Sequence, residues 1–399
     1  MQALKEGRGV MSSQLAQLFK TGPQWVLGFM SGTSLDGVDV ALVKTDGERI
    51  EELGSWITIS YTNAQRKVLA EATQDALKWN WEGVRPKSFD KAERLMTLAH
   101  AEAAQKLMQF GGGETPVLAG FHGQTVLHSP PLDGQKGKTL QLGDGQLLAK
   151  ELGIPVVYDF RTADMEAGGH GAPLAPIYHT ALLDMEAAKR NQNEFTGVVL
   201  NLGGVANFTW QTSDQPPIAF DTGPGNGPID EWIEKHGKGA FDADAKFALA
   251  GKVHEEKIKD WLKHPYFSTK PPKSLDRYDF SAEKLVSDMS FEDGAATLTA
   301  FSARTVLQAL SSMPKKPEMV VATGGGRHNP LIMQYLRDEL GDALIDASSI
   351  GWRGDAIEAE AFAFLAARSA LELPISFPET TGAPEPITGG RHIATTRKR

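Results

Sequence analysis

The chain contains no cysteine. That excludes disulfides and every thiolate metal centre, and it fits a reducing compartment such as the cytoplasm. Long apolar runs are missing too, none approaching the about 18 residues that a membrane-crossing helix needs. Residues 1–24 lack the apolar centre of a signal peptide and read as an extension, with Met11 as an alternative start. Positive charge is scarce. With 41 Lys and Arg against 50 Asp and Glu the net charge is -9, which argues against nucleic acid or anionic membrane as a partner. Any anion site must therefore be local. What the chain does have is length and glycine: 399 residues, 41% of them hydrophobic, are enough for two sizeable cores, and 41 glycines supply loops of unusual backbone shape.

Residues 25–43, WVLGFMSGTSLDGVDVALV, organise the rest. Two apolar runs, 25–30 and 38–43, flank the loop 31–37 in a pattern of strand, turn and strand. Gly32 and Gly37 open backbone angles closed to other residues, while Ser31, Thr33, Ser34 and the intervening N–H groups offer donors to an anion, best a phosphate. No helix follows, so hydrogen bonding from a tight hairpin replaces the helix dipole. The pattern resembles the nucleotide-gripping hairpin of the actin and sugar-kinase fold. The competing reading, a plain surface hairpin, is weakened by the hydroxyls and by Asp36 and Asp39.

Further along, 49–59 extends an antiparallel sheet, 64–110 turns helical, and 91–110 carries an amphipathic helix stopped by Gly111, Gly112 and Gly113. The short strand 116–121 delivers His122, Gly123, Gln124 and Thr125 at its C-terminal end, where open α/β sheets place their ligands. A hydrogen-bonded turn histidine is the plain alternative. Gly137-Lys138-Thr139 is no Walker loop, because Leu132 stands where its first glycine belongs. After a strand end and helix over 140–152 and a strand at 154–158, the run DFRTADMEAGGHGAPLAP sets Asp159, Arg161 and Asp164 beside a flexible loop, a placement more often functional than decorative.

Residues 195–210 form a second strand, turn and strand with Gly203-Gly204 at the bend, as a duplicated two-lobed fold would produce. Asp221 then opens another glycine-rich loop with Gly223 and Gly225, ahead of a helix starting near 229. A carboxylate there suits the divalent cation that accompanies a nucleotide. Residues 240–290 read as a helical insertion without chemistry. The helix 289–310 buries Phe301, Val306, Leu307 and Leu310. The strand 319–322 runs into Gly324, Gly325 and Gly326, whose bare backbone leaves room for a base and ribose. Residues 354–371 form an alanine-rich helix with Glu358 and Glu360 in its first turns. From 374 on, the chain reads as a poorly ordered tail ending in Arg397, Lys398 and Arg399.

Seven of these stretches, GFMSGTSLDGVDVALV, FHGQTVLH, DFRTADMEAGGHGAPLAP, VLNLGGVANFT, FDTGPGN, TGGGRHNP and IEAEAFAFLA, stand in the order and at about the spacing of the anhydro-N-acetylmuramic acid kinases. The resemblance runs from 25 to about 390. It implies an α/β member of the acetate and sugar kinase, Hsp70 and actin superfamily, with two ribonuclease-H-like lobes and an interdomain nucleotide and substrate cleft. The first lobe would span 25–155, completed by the helix 354–372. The second would span 156–353 and carry the catalytic Asp, with 373–399 as a tail.

The reaction so implied turns 1,6-anhydro-N-acetylmuramic acid, ATP and water into N-acetylmuramic acid 6-phosphate and ADP, in cell-wall recycling by a cytoplasmic homodimer. By resemblance, Asp164 is the base that activates water and Glu358 a second cleft carboxylate. Gly32, Thr33, Ser34, Leu35, Asp36, Gly37, Val38 and Asp39 match the ATP-binding segment. Asp221, Gly223, Gly225, Gly324, Gly325 and Gly326 complete the nucleotide contacts, and Mg2+ is expected near Asp221 or Asp36. His122, Gln124 and Arg161 are expected to touch the sugar or its lactyl carboxylate, which suits an arginine fork. His170 stands where many members carry glutamine. Two other readings stay open: a kinase for a different sugar, and an ATP-driven conformational protein without a small substrate.

Overall fold

The structure, a computed structural model, describes residues 14–395 apart from positions 33, 133, 134, 193 and 277. Thr33, the extension up to residue 13 and the basic end 397–399 thus lie outside the described residues. The chain divides into two compact units, one made of the residues up to 185 and from 356 on, the other of 186–355.

In the first unit the opening apolar runs form β1 (Gln24–Met30) and β2 (Gly37–Thr45), paired antiparallel with Met30 opposite Asp39. β3 (Ile50–Ser60) adds antiparallel to β2. α1 (Asn63–Trp79) starts at a reciprocal capping box between Thr62 and Gln65, which satisfies two of its free N–H groups. α2 (Ser88–Phe110) buries Phe89, Met96, Ala103 and Leu107. β4 (Leu118–Phe121), buried at every position as a parallel strand should be, pairs with β1. A hairpin of β5 (Gln124–Ser129) and β6 (Lys138–Leu142) follows, then α3 (Gly145–Leu152), β7 (Val156–Tyr158) parallel to β4, α4 (Thr162–Ala167) and α5 (Pro176–Lys189).

The second unit repeats the opening. β8 (Thr196–Leu202), β9 (Val205–Thr212) and β10 (Gln215–Pro224) pair antiparallel in turn. α6 (Gly227–Lys235) leads into the expected insertion, built of α7 (Glu255–Trp261), α8 (Pro265–Ser268) and α9 (Ala282–Val286). α10 (Phe291–Ser311) is capped by Ser290 and buries Phe301, Val306 and Leu310 as expected, with Leu307 only partly covered. β11 (Met319–Thr323) lies parallel to β8, and after α11 (Pro330–Leu340), β12 (Leu344–Asp346) lies parallel to β11. Trp210 and Phe208 fill the core, each burial contributing about 2–3 kcal/mol.

The chain then returns to the first unit with α12 (Ile357–Ala370), α13 (Pro378–Thr381) and β13 (Arg391–Ile393). The strand orders are β13-β7-β4-β1-β2-β3 and β10-β9-β8-β11-β12. Apart from β13, added antiparallel at the edge of the first, both sheets run third, second, first, fourth, fifth, with three antiparallel strands and then parallel ones. This ribonuclease-H-like order occurs twice.

Side chains alternate across a sheet. Leu27 and Phe29 of β1 accordingly join the core with α2, while Gly28 and its cross-strand partner Ala41 face α12. The approach is close. A Cβ on Gly28 would lie 1.9 Å from the Ala359 carbonyl oxygen, and one on Gly120 of β4 2.0 Å from that of Phe362.

Two expectations need correction. The boundary set at 155/156 falls at 185/186, so Asp164 belongs to the first unit; β7 is an inner strand there, between β4 and β13. Residues 373–395 are no loose tail: Ile375, Ser376 and Thr381 are at most 1% exposed, and β13 pairs antiparallel with β7. Composition misleads here because the buried groups are hydroxyls and single aliphatics among Pro and Gly. Arg391 further ties β13 to Asp159, Nε to Oδ2, at 2.9 Å. Among the described residues no helix is long and apolar enough to cross a membrane.

Candidate active site

Asp164 lies in the first turn of α4 and is 1% exposed. Its Oδ2 accepts from the Gly171 N–H at 2.6 Å, and its Oδ1 accepts from Thr381 Oγ1 at 2.6 Å and from Ser376 Oγ. Gly169 must be glycine, because a Cβ there would sit 2.3 Å from Oδ2. Arg161, one turn ahead, donates from Nη1 to the Gly171 carbonyl at 2.7 Å and from Nε to His122 Nε2 at 3.0 Å. His122 Nδ1 in turn donates to the Gly123 carbonyl at 2.7 Å. With Nε2 accepting, the ring is the neutral Nδ1–H tautomer. Burial, then the Arg161 charge, hold it well below its ordinary pKa.

Burial lowers the Arg161 guanidinium to about 10, against the pull of Glu358 and then Asp164. Glu358 is shifted up by desolvation, opposed by Arg161 and reinforced by Asp39. Its side chain is nevertheless reached by solvent, so the shift is smaller than full burial would give. Arg161 therefore stands between two carboxylates, one locked and one open. Of the expected sugar contacts, Arg161 is bonded to His122 and to the Gly171 carbonyl, and both ring nitrogens of His122 are engaged with protein. His122 thereby orients Arg161. Gln124 likewise supports the neighbouring loop, its Nε2 donating to the Gly32 carbonyl at 3.2 Å.

In that loop Gly32 also accepts from the Leu35 N–H at 3.2 Å, and Leu35 takes a left-handed φ of 57°. Arg66 Nε donates to the Leu35 carbonyl at 3.0 Å, and the Tyr61 N–H to that of Asp36 at 2.9 Å. Ser34 Oγ donates to Asp36 Oδ1 at 2.7 Å, and Thr58 Oγ1 to Asp39 Oδ1 at 2.5 Å. Leu35 and Val38 are core residues, and Gly37 is held by close contact with the Ile59 carbonyl. Ser34 and Asp36 form the exposed part, with Gly32 half-buried beside them. Gln124 Oε1 is buried without a partner among the described residues, as at a site awaiting a polar ligand, whereas the buried Ser31 hydroxyl lies against that of Tyr61.

The second unit has its own glycine-tipped hairpin at Gly203-Gly204. Gly225 and Gly227 N–H groups donate to the Gly204 carbonyl at 3.0 and 3.1 Å, and the Asn226 N–H to that of Gly203 at 2.9 Å. Gly223 and Gly225 thus stand behind the tip, packed on Thr305 and on Gly203, rather than presenting donors. In a trans peptide the C=O and N–H point opposite ways, so the Gly204 N–H faces away from this loop. Sequence reasoning saw this bend but assigned it no role. Beside it, Gly324 touches Asn201, Gly326 touches Leu202, and Gly325 has open space whose nearest neighbour is Asn226 Nδ2. Asn226 Oδ1 is buried without a partner among the described residues, an acceptor suited to a ribose hydroxyl.

Asp221 Oδ2 accepts from the Leu275 N–H at 2.8 Å, and its carbonyl accepts from Tyr266 OH at 2.5 Å. Burial pushes its carboxyl up to about 6. Among the described residues no three His, Asp or Glu gather into a metal cluster. Magnesium riding on nucleotide phosphates needs only one or two carboxylates, and Asp221, desolvated and bonded to a single backbone donor, fits that demand. Asp36 is exposed and partly turned to Ser34, a weaker fit.

A ribonuclease-H-like sheet used twice, each copy with a glycine-tipped hairpin, defines the class: an α/β ATPase of the actin and sugar-kinase type. The family model for anhydro-N-acetylmuramic acid kinase matches residues 24–394. The anhydro-N-acetylmuramic acid kinase of Rhizobium rhizogenes is 50% identical, covering 92% of this chain and 99% of that protein. Those of Brucella anthropi, at 48% over 93% and 99%, and of Phenylobacterium zucineum, at 50% over 92% and 99%, are similarly close. The chain belongs to the anhydro-N-acetylmuramic acid kinase family, and it is an ATP-using kinase. Xylulose kinase from Lactobacillus acidophilus shares only a loose backbone likeness, with a TM-score of 0.42 at 10% identity over 88% of this chain and 90% of that one.

Proposed function

We propose that the chain phosphorylates 1,6-anhydro-N-acetylmuramic acid at O6 while water opens the anhydro bridge, giving N-acetylmuramic acid 6-phosphate and ADP. The carrying observation is the Asp164 carboxylate. Oδ1 is saturated by two hydroxyl donors and Oδ2 holds one backbone donor, which leaves one Oδ2 lone pair for the proton of a water. Water attacks the anomeric carbon, the bond from that carbon to O6 breaks, the water proton passes to Asp164 Oδ2, and O6 bonds to the γ-phosphorus as ADP leaves.

Arg161, fixed by His122, supports charge on the sugar side, and the solvent-reached Glu358 orders water. Gly32, Ser34 and Asp36 in the first unit and the Gly204 N–H in the second suit phosphate, and Gly324, Gly325, Gly326 and Asn226 suit base and ribose. Asp221 would hold Mg2+, directly or through water, and the ion would supply charge neutralisation on the phosphates.

The test is ADP release from ATP and magnesium with the anhydro sugar, free N-acetylmuramic acid, N-acetylglucosamine or no sugar. ADP is expected only with the anhydro sugar, together with N-acetylmuramic acid 6-phosphate. Release with another sugar alone would change the substrate, and release indifferent to sugar would overturn the reading.

A further inference from the structure

We propose that Ser376 and Thr381, on the segment that returns after α12, are positioning residues for the Asp164 carboxylate, so that this segment belongs to the catalytic apparatus of the first unit. The inference rests on the reading of Asp164 as the base. Both side chains are fully buried, at 0% exposure, where a hydroxyl without a strong acceptor would be costly. Both donate to the same oxygen, Oδ1. Two donors on Oδ1 and the Gly171 N–H on Oδ2 fix the plane of the carboxylate, which decides where the remaining Oδ2 lone pair points.

The segment is rigid enough to do this. The Ile375 N–H donates to the Ile387 carbonyl at 2.8 Å, the Ile387 N–H to that of Ser376 at 3.0 Å, and Ser369 Oγ to that of Gly389. The loop beside Asp164 is stitched to the same segment, the His170 N–H donating to the Thr381 carbonyl at 2.8 Å. Charged groups on the elements packed here are Arg161 with Glu358 of α12 beyond it, Glu166 on α4, His170 in the loop and Glu379 on α13. The substitutions below leave all of them in place.

The test compares Thr381→Val, which keeps the branched shape, Ser376→Ala, and the conservative Thr381→Ser in the full chain, with folding checked by thermal melting. Thr381→Val and Ser376→Ala are each expected to lower kcat about 10- to 100-fold with the ATP KM within about twofold. Thr381→Ser should restore kcat. Folded variants with kcat within about twofold of the parent would overturn the proposal, as would a kcat loss that Thr381→Ser does not restore or that comes with an equal rise in the ATP KM, the mark of a merely structural role. Should Thr381→Val not fold, Ser376→Ala decides alone. Asp164→Asn in the same assay separates the two readings, since full turnover there removes Asp164 as the base whatever the hydroxyl variants do.

Discussion

The two units share one strand order and differ in what has been added to it. In the first, the additions are ionisable: Asp164 at the end of the β7 connection, Arg161 locked to His122, Glu358 at the start of α12, and a sixth strand, β13, whose connection carries the hydroxyls on Asp164. In the second, they are glycine and aromatic. The tip at Gly203-Gly204 is braced by 225–227, and Tyr266 and Lys273 close over Asp221, the Lys273 ammonium 4.5 Å from the Tyr266 ring centre. The lesson is that duplication supplied a scaffold with two hairpin tips, and grafts onto it gave one copy buried ionisable groups and the other a braced glycine tip.

The sharpest way to break this asymmetry is Asp164→Asn. It should lower kcat about 10²- to 10⁴-fold while nucleotide affinity, read by titration calorimetry, stays within about twofold. Little change in kcat would erase the division of labour.

Acid should distinguish the units next. His100 and His179 in the first unit are buried and held near 4 by desolvation. A histidine whose folded pKa is depressed stabilises fully above its ordinary value and loses that stability as pH falls towards 4, roughly 2 kcal/mol each at pH 5. Asp221 in the second unit runs the other way: with its carboxyl raised to about 6, the penalty of its charge is relieved as pH falls through 6. Hydrogen exchange followed by mass spectrometry at pH 5 should therefore show peptides around 96–104 and 177–183 losing protection before those of β8 and β11. The reverse order would contradict the assignment.

The smallest effect should come from the tips. A Cβ at Gly225 would meet the Gly203 carbonyl oxygen at 2.1 Å, whereas one at Gly32 meets Ser34 Oγ at 3.3 Å. Gly225→Ala should displace its tip and raise the ATP KM about tenfold, equivalent to about 1.4 kcal/mol, and Gly32→Ala should change it less. Steady-state kinetics with ATP varied decides the order.

The sequence made the first hairpin legible because two apolar runs around a polar, glycine-bearing loop have few other uses, and α2, β4 and α10 announced themselves by period and burial. The Gly203-Gly204 bend was legible as an echo but not as a donor site. An Asp-led glycine loop advertises backbone freedom, and only the fold shows that the Gly225 N–H already has an acceptor. His122 was legible as chemistry, but not its bond to Arg161, which lies 39 positions on. The hydroxyls on Asp164 come from 212 and 217 positions away, in a stretch whose Pro, Gly and Thr content resembles a loose end. Long-range pairing of that kind leaves no local trace.

The glycines at 28 and 120 have a consequence for how the protein is made. The helix they receive, α12, is translated only after all of 186–355, so a nascent first unit presents a bare, glycine-floored sheet face while the whole second unit is being synthesised. The ribosome therefore finishes the second unit first. The first unit, begun earlier, closes last, and until then its exposed floor is a natural client surface for a chaperone.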